Sequence, residues 1–183
     1  MNIKKQLVVG RTANQVTYGF DNPVNYITVH QTGNTSRGAD AQSHANLQSK
    51  GNSRSASWHY TVDDKQVIQS FDDKAQCWHA GDGRGPGNLQ SVAIEICINR
   101  DGDYSKAVKN GAKLVKYLMD KHNLSLDRVK QHHDWSGKNC PAQIRANQEG
   151  ISWNDFLNMV QSTDKPKPQS KPTKDKVEWV GTD

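Results

Sequence analysis

Apolar side chains recur with two different periods along this chain, and the switch between them marks its elements. From about residue 104 to 122, Ala107, Val108, Gly111, Leu114, Val115, Leu118 and Met119 fall at helical spacing, which predicts one long amphipathic helix. Lys106, Lys109, Lys113 and Lys116 take its other side, read as a solvated face rather than a surface for an anionic polymer. Shorter stretches alternate instead and are bounded by Gly, Asn or Asp; these predict strands at 26–30, 57–62, 67–71 and 92–98. Two further helices are expected at 40–49 and 152–161, the second opened by Ser152 with Asp155 three residues on as a capping pair. The mixture predicts an α/β domain.

Two of the predicted strands carry more than structure. Along 92–98, Val92, Ile94, Ile96 and Ile98 share one face, which leaves Ala93, Glu95 and Cys97 on the other. Along 26–30, Ile27 and Val29 face one way while Tyr26, Thr28 and His30 face the other. If the Ile/Val faces pack under helices, the polar faces line a common groove, with a mid-strand carboxylate among small residues.

The folded domain is expected to occupy residues 1–163. After it, DKPKPQSKPTKDK at 164–176 has the composition of an extended Pro/Lys-rich linker. Residues 177–183, with Val177, Trp179 and Val180, read as the first strand of another domain cut short.

Composition narrows the function classes. With 33% hydrophobic residues and a mean hydropathy of −0.89, and no apolar run of roughly eighteen, the chain predicts no membrane insertion. Lys4 and Lys5 offer the charge of a signal peptide, but Leu7, Val8 and Val9 are too short an apolar region to serve as its core, so cytoplasmic retention is expected. The net charge of +5 is a mild basic bias. Its lysines and arginines are scattered with no interleaved aromatic platform, which argues against nucleic acid as a partner.

Seven histidines and three cysteines remain as candidate chemistry. Cys77, Cys97 and Cys140 cannot close a disulfide framework and form no Cys-x-x-Cys pair. His30 ends a strand, and QHHDWSGKNCP at 131–141 holds further ligand types close together. Spacing alone leaves open a zinc site or a cysteine hydrolase in which Cys140 attacks and His132 is its base.

Five ordered stretches, YITVHQTGNT, SWHYTVDD, WHAGDGRGPGN, SVAIEICIN and HHDWSGKNCP, resemble the type-2 N-acetylmuramoyl-L-alanine amidases of the peptidoglycan-recognition-protein fold. The likeness extends over roughly residues 1–160 and is greatest to the catalytic domains of bacteriophage and prophage endolysins. It implies a mixed central β-sheet flanked by α-helices, and Zn2+ held by His30, His132 and Cys140. It also implies Glu95 as general base and Lys138 as the charge that stabilises the oxyanion. The implied substrate is peptidoglycan, glycan strand and stem peptide, cut by a monomer that waits in the host cytoplasm until lysis; residues 177–183 would open a wall-binding domain. A recognition module that binds wall without cutting it usually lacks the thiolate ligand, which Cys140 supplies here.

Trp58 stands where some relatives carry a tyrosine, and reads either as groove wall or as core. His79 is a candidate substrate contact or a surface imidazole. The glycine-rich loop at 81–87 reads as a groove rim interrupted by Pro86, without the strand-loop-helix setting of a phosphate site. His44 and His122 are expected to be exposed, and His59 is undetermined.

Overall fold

The computed structural model describes residues 1–162; the expected linker at 164–176 and the expected domain start at 177–183 lie outside the described residues. Within them, β1 (Lys4–Lys5), β2 (Tyr26–Gln31), β3 (Tyr60–Val62), β4 (Val67–Gln69), β5 (Ser91–Ile96) and β6 (Val129–Gln131) form one mixed sheet in the order β1-β4-β3-β5-β2-β6. The β3–β4 hairpin is the antiparallel pair among the named strands; the other pairings are parallel. β2 and β5 lie side by side in its middle, in a register that sets His30 directly opposite Glu95.

One face of the sheet carries the main core. Ile27, Val29, Val92, Ile94 and Ile96 pack there against Val108, Leu114, Val115 and Leu118 of α4 (Tyr104–His122), joined by Phe156 and Val160 of α7 (Trp153–Ser162). α4 begins where Asp103 accepts a hydrogen bond from the Lys106 amide, and it stops at Asn123, whose left-handed backbone turns the chain out of the helix. Gly111 lets α4 approach closely: a Cβ there would sit 2.7 Å from Ile96 Cδ1. α7 opens with the expected reciprocal cap between Ser152 and Asp155. On the opposite face α2 (Ala41–Ser49), capped by Asp40, sets the small side chains of Ala41 and Ala45 against Ile68 and Cys97. None of these helices is long and apolar enough to cross a membrane.

The strands at 57–62 and 67–71 are shorter than their alternation predicts. At the start of the first, Ser57 donates to the Trp78 carbonyl and Trp58 to the Gln48 side chain; at the end of the second, Ser70 and Phe71 both donate to His59 O, two residues against one, and regular pairing stops there. Four short helices complete the fold: α1 (Gly10–Asn14), α3 (Pro86–Gln90), α5 (His132–Ser136) and α6 (Ala142–Arg145). Pro86, read from sequence as an interruption, is the first residue of α3, where its missing N–H costs nothing.

Candidate active site

The β2–β5 pairing brings His30 and Glu95 together at the floor of a groove, and the chain from β6 into α5 delivers His132 above them. Cys140 arrives on the loop after α5, which is tied down where the His133 amide donates to the Cys140 carbonyl. Gln31 anchors the other side of that loop, its side-chain oxygen accepting from the amides of Gln143 and Ile144. One ligand-type atom from each of His30, His132 and Cys140 lies within 4.8 Å of the others, and all three residues are buried. His30 Nδ1 is 3.8 Å from Cys140 Sγ, close to the roughly 3.5 Å edge of a tetrahedron with ordinary zinc bond lengths.

The groove encloses about 790 Å³, and its lining includes these three residues with Trp58, Trp78, His79, Glu95 and Lys138. A smaller cavity of about 290 Å³, lined by Tyr60, Gln69, Tyr117 and Lys121 among others, holds none of the candidate residues.

Burial sets the chemistry of the cluster. It pulls His30 far below the usual imidazole range, helped by His79, His132 and Lys138, and it takes His132 down to about 4 with Lys138 assisting. It pushes the Cys140 thiol up to about 12, Glu95 adding to the rise. Glu95 itself is 15% exposed and is pushed by burial up to about 8, Lys138 opposing. Its Oε1 is 3.9 Å from His30 Nδ1, and its Oε2 is buried with no hydrogen-bond partner. Two neutral imidazoles and a thiol thus bring three ligand-type atoms together beside a carboxyl group with an unsatisfied oxygen; a divalent cation held by the three would ionise the thiol and favour the charged form of the carboxyl group. These residues therefore fit a zinc ion. Lys138 is exposed on the rim, yet its charge acts on His30, His132, Glu95 and Cys140 together.

The remaining histidines sort differently from the sequence expectations. His44, expected to be exposed, is buried at 8% because it turns back onto Asp40 O and meets Trp58 edge-on. His122, also expected to be exposed, is drawn onto the Asp73 carboxylate at 2.7 Å. His59 is a core residue: Nε2 lies 2.8 Å from Ala75 O and Nδ1 accepts from the Ala93 amide. Trp58 is both core and groove wall, buried with its indole donating to Thr61 Oγ1 while it lines the cavity. His79 is not a surface imidazole; its two ring nitrogens reach His30 and Ser91. Sequence reading gave no signal for Asp73, Asn88 or Gln31, because their partners are backbone groups and side chains far along the chain.

The family model described as N-acetylmuramoyl-L-alanine amidase matches residues 20–143. The chain is similar to the N-acetylmuramoyl-L-alanine amidase CwlH of Bacillus subtilis (strain 168), 42% identical over 174 residues that cover 94% of this chain and 66% of that protein. With the N-acetylmuramoyl-L-alanine amidase XlyA of the same organism it shares 50% identity over 119 residues, 65% of this chain and 40% of that one. It thus spans less than two thirds of either relative. Among solved structures, a mutant endolysin from Bacillus subtilis superposes with a TM-score of 0.79 at 41% identity, covering 87% of this chain and 98% of that one.

Proposed function

Because the chain belongs to the N-acetylmuramoyl-L-alanine amidase family, we propose that it hydrolyses the amide between N-acetylmuramic acid and L-alanine in peptidoglycan, using zinc held by His30, His132 and Cys140. The observation that carries this reading is the meeting of three ligand atoms within 4.8 Å beside a buried carboxyl oxygen that has no partner. Bound there, zinc would supply the Lewis acid that polarises the scissile carbonyl and makes water acidic near neutrality.

The chain's own residues do the rest. Glu95, raised by burial to about 8 and drawn lower by any cation beside it, takes a proton from the water that adds to the lactyl carbonyl. Lys138 sets a positive charge at the rim, where the oxyanion develops. Glu95 then returns the proton to the alanine nitrogen as the C–N bond breaks, leaving a lactyl carboxylate and a peptide with a free amino terminus. Trp58 and Trp78 give the groove apolar walls against which a sugar or peptide can lie. The similarity to an endolysin supports a role in wall lysis.

A cysteine hydrolase fits less well. Burial holds the Cys140 thiol at about 12, and the hydrogen-bond neighbours of its sulfur are His30 and Gln31 O rather than a His132 base. Digestion of purified Bacillus cell walls tests the proposal. The expected result is new N-terminal alanine, lost on dialysis against a chelator and restored by zinc. Release of reducing sugar, or activity indifferent to chelation, would sink it.

A further inference from the structure

Behind His30 runs a chain of hydrogen bonds whose directions follow from its two ends. The Trp135 indole has only a proton to give, and it gives it to Thr28 Oγ1 at 2.9 Å. At the far end the Gly87 carbonyl can only accept, and it takes the single Ser91 hydroxyl proton at 2.6 Å. Thr28 must therefore donate to Ser91 across their 2.8 Å contact. The other neighbour of Ser91 Oγ, His79 Nε2 at 3.3 Å, must donate as well, which leaves Nδ1 of a neutral His79 bare. His30 Nε2 lies 3.0 Å from that Nδ1, so His30 carries its proton on Nε2. The lone pair of His30 then sits on Nδ1, the nitrogen 3.8 Å from Cys140 Sγ and 3.9 Å from Glu95 Oε1.

We propose that His79 is a positioning residue: through its ring it fixes the tautomer and orientation of His30, so that the imidazole presents a bare nitrogen to the metal. This rests on the zinc reading above. Metal-ligating imidazoles commonly need such a partner on the other ring nitrogen. His79 is itself held rigidly. Its amide and that of Ala80 both donate to Asn88 Oδ1 at 2.8 Å, and Asn88, 3% exposed, is fixed in turn by Asp82 and the Gly83 carbonyl. The glycine-rich loop is the brace for this arrangement; a Cβ on Gly87 would come within 2.5 Å of Ala80 Cβ and 2.8 Å of Asp82 Oδ2.

Two variants and one measurement on the native protein test the assignment. His79→Phe keeps the ring but has no acceptor, whereas His79→Asn places a side-chain oxygen where Nδ1 was. Zinc dissociation constants from chelator competition should rise about 10- to 100-fold for His79→Phe and return most of the way to native for His79→Asn. Nitrogen chemical shifts of the metal-free native protein should show His30 protonated on Nε2, with both tautomers populated in His79→Phe. A folded His79→Phe protein that binds zinc like the native one, or a native His30 protonated on Nδ1, overturns the proposal. Failure of the native protein to bind one zinc would instead bring down the metal reading on which it rests.

Discussion

Two largely buried carboxylates, Asp73 in the turn just beyond β4 and Glu95 on β5, are treated in opposite ways. Asp73 has both oxygens filled twice: Oδ1 accepts from Tyr60 and Gln69, and Oδ2 from Lys121 and His122. Two of those donors close the C-terminal end of α4, so the cluster ties the long helix to the β3–β4 hairpin. Glu95, on the neighbouring β5, has an oxygen with no partner and sits among neutral imidazoles and a thiol. Burial pushes the Asp73 carboxyl up, but the hydrogen bonds from Lys121, Tyr60 and His122 outweigh it and leave it below its ordinary value; at Glu95 burial prevails and raises the group to about 8. A satisfied buried charge holds a structure together. An unsatisfied one costs stability and is kept where chemistry requires it.

The sharpest way to break that contrast is to neutralise each carboxylate and read both activity and stability. Glu95→Gln should lower alanine release from walls by about 10²- to 10⁴-fold, the range for loss of a general acid–base group, while the melting temperature of the metal-free protein stays level or rises. A melting temperature that falls sharply would mean that Glu95 is structural after all. Asp73→Ala should do the reverse. Removing one member of a buried pair costs about 3–5 kcal/mol, and since Lys121 is 43% exposed and can turn to water, about 2–3 kcal/mol is expected here, with hydrolysis at a permissive temperature within about twofold of native. Chemical denaturation and the same wall assay measure the two effects; a stable but inactive Asp73→Ala protein would contradict the division.

The two clusters also differ in how far the sequence revealed them. His30 and Glu95 were legible because each belongs to an alternating strand, Glu95 in its middle and His30 at its end, so the Ile/Val partners fixed which face they occupy, and resemblance then linked them to His132, Cys140 and Lys138. α4 was legible along its whole length because nineteen residues give the helical period room to repeat. The Asp73 cluster draws on residues 60, 69, 73, 121 and 122, which share no local pattern, and so His122 read as exposed. β1 and β6, at two and three residues, are too short for any period to register. The brace around Asn88 went unseen for another reason: it is built from backbone amides, which every sequence possesses.

The smallest expected effect, and the most discriminating, is a difference in the sign of pH dependence. Asp73 has a folded pKa below its unfolded one, so the unfolded chain binds the proton more readily. The stability it contributes is complete above the unfolded value of about 3.9 and is lost as pH falls through the lowered folded value. Glu95 is reversed: between about 4.3, its unfolded value, and about 8, the folded metal-free protein holds a proton that the unfolded chain has released. Its contribution therefore declines as pH rises across that window. Denaturation of the metal-free protein at steps from pH 3 to pH 8.5 should show that Glu95→Gln, relative to native, gains stability toward the alkaline end. Asp73→Asn should be most destabilised near neutrality and approach native as the medium becomes acid. If both variants tracked native with the same slope, the two carboxylates would share one environment, and the separation between a structural and a catalytic acid would have no basis.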